Sequence, residues 1–241
     1  MDWIDHSWTR RILDVAFPRF CLICGGDPGA DRGYLCAACE GGLEYLRGAA
    51  CPRCGQELGP DPAEGAPCPD CAGTRPAFAG GTAVCRYEGR ARELVLRLKF
   101  VRETVLAEEL GRLLAGRVRA APWAGGLDEI LPVPMTRRKE RTRGHDPAAR
   151  LAEAVARRLG LADAPRRLAK SRETPPQSTL SEPERKANVR DSFIVQGPGR
   201  IRGANLLLVD DVMTTGATLA ECAKTLKRAG ARKVFVGVFA R

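Results

Sequence analysis

Eight cysteines and two aspartates carry most of the chemistry that this chain can be read for. The cysteines form four CxxC pairs, Cys21/Cys24, Cys36/Cys39, Cys51/Cys54 and Cys68/Cys71, with 11, 11 and 13 residues between successive pairs. A CxxC turn places two thiolates on one side of a tight knuckle, and two knuckles complete a tetrahedral Zn²⁺ site. Four pairs supply two such sites with no ligand left over. Gly25 and Gly55 stand just after a CxxC, where the knuckle needs a left-handed turn. A disulfide framework is the first rival reading, and it needs an oxidising compartment. An iron–sulfur centre is the second, and its ligand spacings differ, with a third cysteine close behind the CxxC. Two structural zincs fit the pattern best. Sequential pairing is simplest: Cys21, Cys24, Cys36 and Cys39 on one ion, Cys51, Cys54, Cys68 and Cys71 on the other. A cross-braced arrangement uses the same eight residues. Four-cysteine sites have no open coordination position, so the expected role is structural.

The two aspartates are Asp210 and Asp211. They follow the apolar run Leu206–Val209 and precede Val212, Met213, Thr214, Thr215, Gly216, Ala217 and Thr218. The threonines offer hydroxyls, Gly216 lets the backbone approach an anion, and a helix starting here turns its free N–H groups and positive dipole end toward the same point. That is a phosphate cradle. Two carboxylates beside it would repel phosphate, so they need another partner. Vicinal ribose hydroxyls suit them, since each can donate to a carboxylate. The set specifies a sugar phosphate. An acidic turn with a threonine cap explains one or two of these residues but not all of them, and no GxxxxGK[ST] is present.

The elements that must position these groups follow from the apolar pattern. Leu206–Val209 reads as a parallel strand buried on both faces. Leu219, Cys222, Ala223 and Leu226 keep helical spacing up to Gly230, and Lys233–Phe239 reads as the next strand. In such a βαβ unit ligands meet the carboxyl ends of the strands. Upstream, Glu88–Phe100 and Thr104–Val118 read as amphipathic helices and Asp128–Val133 as a strand ended by Pro134. The basic run at 137–144 then reads as a loop facing the same ligand, with Arg138, Lys139, Arg141, Arg143 and Gly144 as candidates; a solvated basic loop is the alternative. Residues 72–81 read as a linker, residues 171–193 as a long polar lid, and Cys85 and Cys222 as small buried apolar residues.

Charge divides the chain as the cysteines do. The net formal charge is +10, yet residues 1–80 hold 7 Lys/Arg against 11 Asp/Glu, and the remainder carries +14. A basic half points to a polyanionic ligand, or to a generic basic surface. No apolar run approaches the roughly 20 residues of a membrane span. The amphipathic, early-acidic N-terminus does not read as a secretory signal. A cytoplasmic protein without membrane insertion is expected.

LLLVDDVMTTGAT resembles the phosphoribosyl pyrophosphate motif of type I phosphoribosyltransferases. Together with CLICGG, LCAAC and CPRCG, with YEGRARELVLRLKF and LPVPMTRRKERTRG, and with the segment from Gln177 to Phe193, it makes nearly the whole chain resemble the competence protein F (ComF/ComFC-like) family. The resemblance implies an α/β, doubly wound, mostly parallel sheet of the type I phosphoribosyltransferase kind behind a small zinc-ribbon domain. The expected boundaries are 1–76, an N-terminal helix and both four-cysteine sites, and 77–241, a phosphoribosyltransferase-like domain with a separate core that survives loss of either metal. It also implies that Asp210 and Asp211 take the ribose hydroxyls of phosphoribosyl pyrophosphate and Val212–Thr218 its 5′-phosphate. Mg²⁺ would accompany the ligand, and single-stranded DNA and other competence proteins are candidate partners in DNA uptake or processing. Where the family has an aromatic followed by Asn-Gln, this chain has His145-Asp146-Pro147, which puts an acid beside the expected pyrophosphate loop and removes an N–H donor. In the lid, Gln177, Leu180, Arg185, Asn188 and Phe193 match.

Three functions stay open on sequence alone: a pentosyltransferase acting on a nucleobase or related acceptor, a non-catalytic sensor of phosphoribosyl pyrophosphate, and a single-stranded DNA-handling factor. Catalytic residues are unassigned. His145 is the lone acid–base candidate and reads as incidental. Aromatic residues make up only 5% of the chain, few for base stacking.

Overall fold

Leu206, Leu207, Leu208 and Val209 have no exposed surface, and the sheet is built around them. Each such side chain removed from water is worth roughly 1.5–3 kcal/mol, which is why this run takes the central position. The computed structural model describes residues 19–29, 33–60, 62–63, 65–100, 104–164, 166–172 and 188–241. The N-terminal helix expected before residue 19 lies outside them.

In chain order the elements are α1 (Ala37–Gly41), α2 (Pro69–Thr74), β1 (Gly80–Cys85), α3 (Gly89–Phe100), α4 (Thr104–Arg119), β2 (Glu129–Pro132), α5 (Arg137–Arg143), α6 (Pro147–Leu159), β3 (Ala162–Asp163), β4 (Leu168–Lys170), β5 (Phe193–Val195), β6 (Asn205–Val212), α7 (Ala217–Arg228) and β7 (Lys233–Ala240). Five strands form a parallel sheet in the order β1-β7-β6-β2-β3. The α/β, doubly wound, mostly parallel architecture is as expected from the sequence. β4 and β5 pair antiparallel apart from it, and the lid expected at 171–193 lies largely outside the described residues, between them.

Register explains where the site opens. β2 ends at Pro132, opposite Val209, whereas β7 stays beside β6 as far as Val212↔Ala240. Asp210 and Asp211 therefore project beyond the end of one neighbour while the other still holds their backbone.

Cysteine positions divide differently from the expected 1–76 and 77–241. The chain forms two compact units, 1–43 and 44–241. The first contains Cys21, Cys24, Cys36 and Cys39. The second CxxC set belongs to the α/β unit: Cys51, Cys54, Cys68 and Cys71 share a buried cluster with Ala83, Val236 and Met213. Residues 72–81 are correspondingly not a free linker. α2 runs to Thr74, Phe78 is buried, and the Ala79 N–H donates to Val234 O.

Glycine permits this docking. Gly55 has φ +73°, and a Cβ there would lie 2.7 Å from Thr82 Cα. A Cβ on Gly81 would lie 2.4 Å from Val236 Cγ2 and 2.7 Å from Arg53 O. Just before the knuckle, Tyr45 bridges Cys85 antiparallel and the Leu46 N–H donates to Val84 O, so the outer edge of β1 is covered. The Arg117 guanidinium on α4 donates to the Leu46 and Ala83 carbonyls and ties the same segment down.

The two clusters should consequently fail differently. Elemental analysis is expected to find two Zn²⁺ per chain, with Cys21→Ser and Cys51→Ser each removing one. Calorimetry should show Cys51→Ser lowering the unfolding midpoint of the α/β unit by on the order of 5–10 °C, as a loss of a few kcal/mol does in a domain of this size. Cys21→Ser should leave that midpoint in place. Equal shifts, or no shift with Cys51→Ser, would refute a shared core.

Candidate functional site

The two sulfur clusters have metal geometry. In each, the four sulfurs lie within 4.8 Å of one another: Cys21, Cys24, Cys36 and Cys39 in one, Cys51, Cys54, Cys68 and Cys71 in the other. A tetrahedron with Zn–S bonds of about 2.3 Å has edges of about 3.8 Å. The Cys24–Cys36 and Cys54–Cys68 sulfurs are 3.8 and 3.6 Å apart. Pairing is therefore sequential. The knuckles repeat one hydrogen-bond scheme: Gly25 N–H to Cys21 O and Gly55 N–H to Cys51 O, then Cys36 N–H to Cys21 Sγ and Cys68 N–H to Cys51 Sγ. Burial alone would raise the Cys21 and Cys51 thiols, but these backbone donors outweigh it and bring them down to about 6 and about 7. The donor set fits zinc and leaves no open position.

The second site lies at the carboxyl end of β6. A cavity of about 250 Å³ there is bounded by Asp210, Asp211, Thr218, Lys139, Arg143 and Asp146, with Thr136 and Lys170 also at its wall. Strand alternation sends the two acids to opposite faces of the sheet. On the α3 side, Asp211 is buried and its Oδ1 lies 2.9 Å from Lys99 Nζ. Asp210 accepts from the Asp211 N–H at 2.9 Å. Burial and the neighbouring Asp211 carboxylate push Asp210 well above the usual carboxylate range, against the pull of Lys99. Burial also raises Asp211, while Lys99 and Arg143 draw it back.

The loop Met213–Gly216 joins β6 to α7. Gly216 stands at the N-cap with φ +73°. Among the described residues, the N–H groups of Thr214, Thr215 and Gly216 donate to no backbone carbonyl. The Thr215 hydroxyl accepts from the Ala217 N–H at 3.4 Å, and Met213 is anchored through its N–H to Ala240 O. Free N–H groups at the start of a twelve-residue helix make an anion cradle.

The basic run at 137–144 is a helix and not the expected loop. Thr136 caps α5, its hydroxyl accepting from the Lys139 N–H, and Gly144 closes it with φ +76°. Arg, Lys and Glu are good helix formers, and the run holds no breaker before Gly144. Lys139 and Arg143, four residues apart, share the face turned to the cavity. Arg138 and Arg141 are exposed and do not line it. Gly144 has no side chain to offer and serves as the turn.

The unusual 145–147 segment has a local explanation. Asp146 caps α6, accepting from the Ala149 N–H at 3.1 Å, and Pro147 occupies the first helical turn, where a missing N–H costs no helix bond. Burial raises the Asp146 carboxyl. The imidazole of His145 reaches the Leu98 carbonyl, with Nε2 at 2.9 Å, and so fixes the end of α3 beside Lys99. Lys99 is the residue that sequence reasoning missed. It stood inside the family segment YEGRARELVLRLKF, but a helix with so many cations gives no sign of which one meets an acid.

Asp210 fixes a pH response. Its proton is held more tightly in the folded than in the unfolded chain, so native stability falls as pH rises from the ordinary value near ~4 through the raised one. Asp210→Asn is expected to raise the unfolding midpoint at about pH 7, by about 2–4 °C per kcal/mol of repulsion relieved, and to flatten the decline with pH. Thermal melts across pH check this; an Asn variant that is less stable, or keeps the wild-type slope, would contradict the placement of Asp210.

Residues 12–72 match the family model of a double zinc ribbon domain and residues 142–241 that of a phosphoribosyl transferase domain. The chain is 32% identical over 230 residues to the DNA utilization protein YhgH of Salmonella typhi, covering 94% of this chain and 99% of that one. The Escherichia coli K12 protein of the same name is 30% identical over the same span. Competence protein F of Haemophilus influenzae is 27% identical over 225 residues, 92% of this chain and 96% of that one. Among solved structures, the glutamine phosphoribosylpyrophosphate amidotransferase of B. subtilis is similar at TM-score 0.39 and 19% identity, over 59% of this chain and 30% of that one. Identity sustained end to end, across both the ribbon and the α/β part, means that this chain belongs to the family of DNA utilization protein YhgH and competence protein F.

Proposed function

We propose that the α/β unit binds phosphoribosyl pyrophosphate. Asp210 and Asp211 accept from its 2- and 3-hydroxyls, and the Val212–Thr218 loop takes the 5′-phosphate on the free N–H groups of Thr214, Thr215 and Gly216. Lys139 and Arg143 face the pyrophosphate end, with Arg138 and Arg141 adding charge from the outer face of α5. Mg²⁺ would accompany the diphosphate and offset part of its charge. The observation that supports this reading is a juxtaposition at the end of β6: the paired carboxylates, Lys139 and Arg143 line one cavity, and the loop that follows the acids offers free N–H groups at the start of α7.

The relatives' names, DNA utilization protein and competence protein F, support a role in DNA uptake or processing, with single-stranded DNA and other competence proteins as candidate partners. Turnover is a separate question. Displacement of pyrophosphate at the anomeric carbon passes through an oxocarbenium-like state that charge can stabilise, and no acid or base for an acceptor stands out among the described residues.

Titration calorimetry with phosphoribosyl pyrophosphate, with and without Mg²⁺, tests the proposal. Binding is expected, and Asp210→Asn or Asp211→Asn should weaken it at least about tenfold, since each removes a charge-assisted hydrogen bond worth ~1.5–3 kcal/mol. Thr215→Val should weaken the 5′-phosphate contact. Unchanged binding in all three variants refutes the site. Release of pyrophosphate with one nucleobase would select the enzyme, and a salt-dependent shift of single-stranded DNA the DNA-handling reading.

The Asp146 carboxylate shares the cavity with Lys139 and Arg143. Asp146→Asn with Pro147→Gln should raise affinity for phosphoribosyl pyrophosphate by about 1 kcal/mol, by removing a repulsion and restoring a donor, while Asn keeps the helix cap. Affinity for ribose 5-phosphate should barely change. An equal response of both ligands would place the segment away from the pyrophosphate.

A further inference from the structure

A second cavity, of about 460 Å³, opens on the far side of the phosphate loop. Its walls come from three sources: Thr215, Gly216 and Ala217 of the cradle, Ala220 and Lys224 further along α7, and Cys71, Thr74 and Arg75 at the end of the second zinc knuckle. Val189, Met213 and the Pro76–Phe78 segment supply apolar surface between them. The cradle is thus a partition. Thr218 and the carboxylates face one cavity, and Thr215 to Ala217 face the other. A phosphate on the Thr215 and Gly216 N–H groups therefore borders the second cavity, and a terminal 5′-phosphate would leave most of that volume unfilled.

Arg75 is the feature that gives this cavity a direction. It caps α2 with φ +46° and ψ +62°, a left-handed conformation normally left to glycine at this position. Among the described residues no carboxylate lies within ion-pair distance of its guanidinium. Its exposed side chain stands at the wall of the cavity, where a guanidinium can meet an anion. Two acids also line this cavity: Glu221, which accepts from the Asp191 N–H at 3.0 Å and lies 3.4 Å from Lys224 Nζ, and Asp70, an exposed first-turn residue of α2; Arg75, Lys224 and Arg241 outnumber them. A volume of this size suits a nucleoside, with apolar walls for its base and cations for its phosphate.

We infer that the phosphate on the cradle is an internal linkage, and that the cavity beside the zinc knuckle holds a second nucleotide attached through it. The ligand class is a ribose with a free 2,3-diol whose 5-phosphate is joined to a further nucleotide. This rests on the ribose-phosphate reading of Asp210, Asp211 and the loop. The diol requirement is selective. Deoxyribose lacks one of the two hydroxyls, and a ribose inside a strand has its 3′-oxygen esterified. Two sources carry the chemistry: a dinucleotide pyrophosphate, or the 3′ end of an RNA strand.

Calorimetry on the zinc-loaded full chain separates them, with ribose 5-phosphate, ADP-ribose and the ribodinucleotide ApA as probes. One of the two larger probes is expected to bind at least about tenfold more tightly than ribose 5-phosphate. ADP-ribose in that position identifies the pyrophosphate source, and ApA the RNA end. Arg75→Gly, which relieves the backbone strain and so should fold at least as well, is expected to erase the advantage and leave ribose 5-phosphate affinity unchanged. If neither probe exceeds ribose 5-phosphate, or the advantage survives Arg75→Gly, the inference is wrong while the ribose-phosphate site stands. If ribose 5-phosphate and phosphoribosyl pyrophosphate also fail to bind, both are wrong.

Discussion

Two carboxylates on consecutive residues at the end of a buried strand repel each other, and most of the α/β unit can be understood as what holds them there. At an effective dielectric constant near 20, unit charges 4 Å apart interact by about 4 kcal/mol. That is a large share of the ~5–15 kcal/mol by which a domain is stable. The chain meets this in two ways. Backbone pairing of β6 with β7 continues past both acids, so the strand cannot retreat. Lys99, brought in on α3, lies 2.9 Å from Asp211 and neutralises one of the two charges. Asp210 stays raised well above the carboxylate range by burial and its neighbour. Hydroxyl donors, such as a sugar diol offers, would relieve what the protein itself leaves unrelieved.

The second zinc knuckle belongs to this arrangement, whereas the first lies in a unit of its own. A tetrathiolate around Zn²⁺ carries a net charge of −2, and a buried one needs cations nearby. Arg241 supplies one: its charge favours the thiolate form of Cys54, against the upward push of burial, and its Nη2 donates to Gln56 Oε1 at 2.8 Å. Arg241 follows β7 directly, the strand that braces Asp210 and Asp211. The second cysteine cluster, the core and the Met213–Gly216 loop thus lie within a few residues of one another, and the close approach at Gly55 and Gly81 leaves the knuckle little room to move independently.

What was legible in the sequence was local. LLLVDDVMTTGAT states its own strand, turn and helix start, because apolar run, acids and threonines are contiguous and each residue's role depends on its neighbours in the chain. The CxxC pairs are legible for the same reason. What was not legible depends on tertiary partners. The 137–144 run looked like a loop because its cations dominate the pattern, yet Thr136 and Gly144 were helix boundary signals at either end. The expected linker contained Phe78, a large apolar residue that only a neighbouring sheet could have explained. The choice of Lys99 among the cations of α3, and the choice of Lys139 and Arg143 over Arg138 and Arg141, follow from helix faces whose orientation no periodicity could assign.

The departure at His145-Asp146-Pro147 shows how a local rule and a site can share residues. Read as a binding loop, the segment is poor, since it sets an acid and a missing donor against an anion. Read as a helix start it is good, with Asp at the N-cap and Pro in the first turn. Both readings hold, because α6 begins at the wall of the cavity. Asp146 is held there by the Ala149 N–H, and burial raises its carboxyl, which lessens the charge it can oppose to a phosphate. His145 meanwhile binds the Leu98 carbonyl, one residue before Lys99. The segment that weakens one end of the site therefore steadies the cation at the other.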